Sequence, residues 1–155
     1  MSLNEQILTN HTEFLNTLRH RFLDENRTKA LAKFAELGFP TKKDEEYKYT
    51  NIKEITEKEY NFFPKESHNI TKEQLDELHL GEENFDWIVF VNGKLHKELS
   101  NISIENAEFL SFNYALNDEN HKEVFDKYFN TIAAKDLAFT NLNQAYCKYG
   151  FFLKV

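Results

Sequence analysis

Asp86-Trp87-Ile88-Val89-Phe90-Val91-Asn92-Gly93-Lys94-Leu95-His96-Lys97-Glu98-Leu99 is the stretch on which the fold class turns. Its first half is β-branched and aromatic, residue types that suit a pleated, half-buried surface. Asn92-Gly93 then supplies two residues that tolerate positive φ, as a two-residue hairpin turn requires at both central positions. Lys94 to Leu99 returns as the second strand. Isolated two-stranded ribbons are marginal in water, and the weak alternation from Ile102 to Phe109 is expected to provide a third strand beside the hairpin.

On either side of this segment the apolar period is helical. Ile7, His11, Phe14, Leu15, Leu18 and Phe22 recur at spacings of three and four, which predicts a helix over Leu3–Leu23. A break near Asp24-Glu25-Asn26 precedes a second helix over Arg27–Leu37, burying Ala30, Leu31, Phe34 and Leu37. Gly38 fits the position just past its end and Pro40 prevents its resumption. Phe62-Phe63-Pro64 reads as a loop tucked against the body, and Thr71 with Gln74 forms a capping-box pattern for a short helix. After the strands come two more helices. Glu119–Phe129 places Val124, Phe125, Tyr128 and Phe129 inward; Asp136–Tyr149 does so with Leu137, Ala138, Leu142, Ala145 and Tyr149, and Gly150 closes it. The sum is α+β: a mainly helical domain with a small antiparallel sheet whose hairpin turns at Asn92-Gly93.

Composition narrows the function classes. Fifteen phenylalanines, seven tyrosines and a tryptophan argue against disorder. No apolar run reaches the 18–20 or so residues that span a bilayer. The opening residues lack a secretory signal, and a single cysteine fits a reducing compartment, so a cytoplasmic protein is expected. A net charge of -7 gives no general attraction to phosphate backbones, and Lys42-Lys43 is followed at once by Asp44-Glu45-Glu46. Neither nucleic acid nor membrane is expected as a partner.

Sequence-local site chemistry is sparse. The glycines lie too far apart for a phosphate loop, and His11, His20, His68, His79, His96 and His121 do not fall at metal-ligand spacings. Cys147 reads as a buried small side chain, His11 as a structural histidine and His96 as solvent-facing. Trp87 reads as core. No catalytic, cofactor-binding or metal residue is assigned, and an autonomous enzyme is not expected. A small hydrolase would need a pocket holding His96 or His121 beside a carboxylate. Tyr47 and Tyr49, at i and i+2, are candidate contact residues, with one packing and the other facing a neighbour.

Leu37-Gly38-Phe39-Pro40-Thr41-Lys42-Lys43-Asp44-Glu45-Glu46-Tyr47-Lys48-Tyr49-Thr50 resembles the N-terminal signature of the SufD family, with Tyr47 where tryptophan is usual. Val89-Phe90-Val91-Asn92-Gly93-Lys94-Leu95, with Leu99-Ser100 following, is similar to a second stretch of that family. Ala138-Phe139-Thr140-Asn141-Leu142-Asn143-Gln144-Ala145-Tyr146, with Gly150 and a strand after it, is similar to a third. SufB shares the later architecture but opens differently.

The resemblance implies a non-catalytic part of the cytosolic machine that assembles iron–sulfur clusters. The family works in a complex with SufB and the ATPase SufC, and a β-helix domain follows its helical N-terminal domain. Residues 1–150 would then be the N-terminal domain and 151–155 the first strand leading into the β-helix. The family's cluster-handling residues have no position in this sequence, so no cofactor is assigned to it; the cluster and the ATP used by SufC belong to the full complex. Pro40, Asp44, Glu45, Glu46, Tyr47, Lys48, Tyr49 and Thr50 are carried over only as the signature. It suits either fixing a linker or docking onto the β-helix domain, a SufB-like or a SufC-like partner. The alternative from another class is a standalone acidic adaptor that binds a protein through Tyr47, Tyr49 and the hairpin.

Overall fold

A computed structural model describes residues 1–18, 21–65, 70–78, 86–101, 108–134 and 136–155. Among them are seven α-helices and two antiparallel sheets of two strands each, which makes the protein α+β as expected. The chain divides into two compact units, Met1–Pro64 with Val124–Lys148 and Lys65–Glu123 with Tyr149–Val155.

In the first unit, α1 (Leu3–Asn16) starts on a capping box in which Ser2 and Glu5 satisfy each other's backbone N–H groups. Its apolar stripe buries Leu3, Ile7, His11 and Phe14. The helix ends seven residues before the predicted Leu23. There the Thr17 hydroxyl donates to the Phe14 carbonyl at 2.7 Å and Leu18 N–H to that of Leu15, tightening the last turn. Phe22, placed on the stripe by periodicity, is therefore exposed. The second helix, α2 (Asp24–Leu37), begins where a break was expected, because Asp24 and Glu25 suit the positive end of a helix dipole. Ala30 and Phe34 are buried as predicted, whereas Leu37 is exposed. Gly38, at φ 66, ends the helix by donating its N–H to the Phe34 carbonyl.

The short helix α3 (Lys53–Thr56) follows, with Ile52 buried ahead of it. The main partner of α2 comes from far along the chain: α7 (Ala138–Ala145), which packs along it. Leu3, Ile7 and the fully buried Phe34 form the core, with Leu31, Phe39, Phe62, Ala138, Leu142 and Tyr146 against it. Burying a phenylalanine is worth about 1.5–3 kcal/mol of transfer free energy. Helix α7 is shorter than predicted at both ends: Leu137 is exposed and extended, and residues 147–150 are not helical. Gly150 does not close it.

The second unit contains α4 (Lys72–Asp76), whose capping box between Thr71 and Gln74 is the one predicted. The sequence places its end near Leu78 to Gly81, but the helix stops at Asp76; residues 79–85 lie outside the described residues. Strands β1 (Phe90–Val91) and β2 (Lys94–Leu95) pair as Phe90↔Leu95 and Val91↔Lys94. Asn92 and Gly93 both have positive φ, 50° and 80°, the signature of a type I′ turn. The hairpin is steadied by side chains. Trp87 bridges to Asn101, its Nε1–H donates to the Leu99 carbonyl at 2.9 Å, and Val89 N–H donates to Ser100 Oγ at 2.9 Å. Trp87 is half-buried rather than core.

The expected third strand is displaced. Residues 102–107 lie outside the described residues, and β3 (Glu108–Ser111) pairs with β4 (Phe151–Lys154) instead of the hairpin. The C-terminal run is thus a strand, as predicted, in a four-pair antiparallel register from Glu108↔Lys154 to Ser111↔Phe151. Between them lie α5 (Phe112–Ala115) and α6 (Glu119–Tyr128), and the division between the two units falls within α6. Along α6, Phe125 is buried and Val124 half-buried, but Tyr128 is exposed. Gly150 packs its Cα side on the Phe112 ring and accepts a hydrogen bond from Phe112 N–H at 3.0 Å.

Candidate functional site

Two clusters in the described residues are candidate sites, one in each unit. The first is the signature segment. Once Gly38 and Pro40 have ended α2, Asp44 folds back and accepts from Thr41 N–H at 2.6 Å and from its hydroxyl at 3.0 Å. The backbone donation from Thr41 holds the Asp44 carboxyl below its ordinary value. Lys43 N–H donates to Thr41 Oγ1, closing a small side-chain turn. A single 3-10 turn, Glu45–Tyr47, follows from the Asp44 carbonyl.

This turn separates the two signature tyrosines. Tyr47 is half-buried, with its ring 5.8 Å from that of Phe139 on α7, and Phe39 joins the stack between Phe34 and Phe139. Tyr49 is 92% exposed, with the Lys48 ammonium 5.5 Å from its ring centroid. Pro40 is half-buried, while Asp44, Glu45, Glu46, Lys48 and Thr50 are exposed. The segment is a packed turn presenting one aromatic ring among charges.

The second cluster centres on His121, which the sequence offered only as a hydrolase candidate beside an unnamed carboxylate. His121, in the first turn of α6, places Nδ1 2.9 Å from Asp118 Oδ2 and Nε2 2.9 Å from Glu108 Oε1 on β3. Its side chain is 9% exposed, and the Phe152 ring of β4 meets it edge to face at 4.9 Å. An ionised carboxylate only accepts, so the ring satisfies both partners when it donates from both nitrogens, as a doubly protonated imidazolium does. The hydrogen bond to Glu108 raises its pKa above the ordinary value, with the nearby carboxylate charges adding to it. Asp118 is held below its ordinary value, first by Asn120 N–H. The i, i+3 spacing of Asp118 and His121 at a helix start was visible in the sequence; the Glu108 partner, supplied by strand placement, was not. With both nitrogens engaged, this imidazole has no lone pair to offer as a general base.

The other predicted positions take structural roles. His11 is buried, with Nε2 3.0 Å from the Ala145 carbonyl, and burial lowers its pKa. Tyr146 donates its hydroxyl to the Ile7 carbonyl, and burial pushes its pKa up to about 12. Cys147 lies just beyond α7, half-buried, with its thiol pushed up by burial. His96, expected to face solvent, is half-buried and accepts from Leu99 N–H at Nδ1. His20, His68 and His79 lie outside the described residues. Within the second unit a shallow cavity of about 140 Å³ is lined by Lys94, Leu95, Lys97, Ser111, Phe112 and Tyr149, among others; neither His96 nor His121 lines it. Among the described residues, no group of three or more His, Cys, Asp or Glu side chains is placed to hold a metal, and no helix is long and apolar enough to cross a membrane.

The sequence model of one protein family, described as SufBD protein N-terminal region, matches residues 3–155. Neither a curated protein nor a solved structure matches the chain.

Proposed function

This chain belongs to the SufBD protein N-terminal region family, and on that premise we propose that it is the non-catalytic N-terminal domain of a scaffold or accessory subunit in the SufBCD iron–sulfur cluster assembly complex. The observation that carries the proposal is the reach of the family match, residues 3–155, which takes in all three motif segments in order. The assignment to the SufD rather than the SufB type is the finer part of the proposal and rests on Leu37 to Thr50.

In this reading the domain contributes surface. The cluster is the cargo of the full complex, and ATP is used by the SufC-like partner. The exposed Tyr49 is suited to docking: a tyrosine offers large contact area for two side-chain torsions, so it loses little entropy when it is covered. Tyr47, already spent on Phe139, supports the turn that displays it.

The test is co-purification of the full-length protein with its SufB-like and SufC-like neighbours, with and without Tyr49→Ala. A stable complex of which Tyr49→Ala loses a large part is the expected result. Failure to associate overturns the proposal. A reading frame that stops at Val155, with capture of an unrelated protein, would favour the acidic adaptor instead.

A further inference from the structure

The bracket around His121 joins three pieces of the second unit that are distant in sequence. Asp118 precedes α6, His121 sits in its first turn, and Glu108 opens β3, with Phe152 of β4 closing the far side of the ring. We propose that Glu108, His121 and Asp118 form a proton-operated clasp that ties the start of α6 to the β3–β4 sheet when the imidazole is doubly protonated and releases it when one proton is lost.

The geometry requires two states. A neutral imidazole has one N–H and one lone pair, so it satisfies one carboxylate and turns a lone pair toward the other. At 2.9 Å on both sides, loss of either proton to solvent replaces a charge-assisted hydrogen bond with repulsion between lone pairs. The ring side chain is 9% exposed, while Glu108 is 43% and Asp118 26% exposed. Among the described residues, the charged groups on the elements packed against it are few. Glu108 comes from β3 and Asp118 from the loop ahead of α6, while β4 presents the uncharged Phe152 ring. Lys154 of β4 stands opposite Glu108 in the strand register and is exposed, and Lys122 follows His121 on the helix, also exposed. Neither cation replaces the imidazolium between the two carboxylates.

The sign follows from the raised folded-state pKa. The stabilisation is complete below the unfolded histidine value of about 6.5 and is lost as pH rises through the folded value. The clasp therefore opens toward alkaline pH.

The experiment follows the His121 ring by NMR in the 155-residue chain while hydrogen exchange reads the protection of the β3 and β4 amides over the same pH series. His121 is expected to titrate above the ordinary histidine value, and amide protection, corrected for intrinsic exchange, to fall severalfold across the same interval. Glu108→Gln keeps the shape and removes the charge, and is expected to move both midpoints together to lower pH. An ordinary or lowered His121 pKa, or protection indifferent to its titration, overturns the proposal. The wild-type titration decides even if the variant is too unstable to read.

Discussion

The guanidinium of Arg27 donates from Nε at 2.9 Å and from Nη2 at 2.8 Å to a single acceptor, the carbonyl of Cys147, 120 residues further along the chain. Arg27 is 3% exposed, and its remaining charge-assisted bond runs to Asp24 at 3.1 Å. Removing it leaves the part-buried Cys147 carbonyl without this donor and the Asp24 carboxylate with Arg21 at 3.5 Å. Arg27→Ala should cost about 1.5–3 kcal/mol in chemical denaturation. Arg27→Lys should recover little of this, because an ammonium does not reproduce the fork. A lysine variant as stable as wild type would show that the clamp contributes nothing.

The two signature tyrosines should separate stability from binding. Tyr47→Ala removes the ring stacked on Phe139 and should destabilise by about 1–3 kcal/mol. Tyr49→Ala should leave the melting midpoint of the isolated chain within error, since an exposed side chain typically contributes no more than about 0.5 kcal/mol. Calorimetry of both variants checks the pair; a large loss for Tyr49→Ala would mean that the ring packs in solution.

Two glycines should respond oppositely to alanine. Gly93 stands at φ 80°, with nothing within 4 Å of an added Cβ, so its cost is conformational alone, about 1–2 kcal/mol. Gly93→Asn should cost less, since asparagine tolerates that region. At Gly150 the φ is not in the left-handed region and a Cβ would meet Phe112 at an ordinary 3.5 Å. Gly150→Ala should be neutral or stabilising by about 0.4–1 kcal/mol through the unfolded state. Equal losses at the two sites in urea titrations would contradict both assignments.

In the first unit, His11 gives the pH response opposite to that of His121. Burial lowers its folded pKa, so folding favours the neutral ring that meets the Ala145 carbonyl. Its contribution is complete above the unfolded value of about 6.5 and is lost as pH falls toward the lowered folded value. His11→Gln should flatten the acid side of the stability profile. An unchanged slope between about pH 6.5 and pH 4 would rule this out.

Local chemistry was legible in the sequence, and distant pairing was not. Asn92-Gly93 and the Thr71/Gln74 cap act within a few residues, and both stand where their chemistry placed them. Helix ends were harder, because the Thr17 hydroxyl and the Asp24 charge act on the helix backbone in ways that the hydrophobic period does not record. The partner of β3 could not be read: alternation shows which face is apolar, not which strand lies alongside. The signature was legible in part: one tyrosine was expected to pack and the other to face a neighbour, but nothing told that Tyr47 would be the inward one, beyond a turn locked by Asp44 and Thr41. His121 shows the gap most clearly, since one of its carboxylates is a neighbour in sequence and the other arrives with a strand.

The distant placement of α7 against α2 also bears on how this polypeptide is made. A ribosome releases α1 and α2 well before Ala138–Ala145 and the Cys147 carbonyl emerge. Until then the core around Phe34 lacks Ala138, Leu142 and Tyr146, and Arg27 lacks the Cys147 carbonyl. The first two helices therefore remain incompletely packed until α7 emerges, with apolar surface open to chaperones and to self-association. Nascent chains arrested before residue 138 should be protease-sensitive across their opening helices, and resistance should appear only once α7 has cleared the exit tunnel.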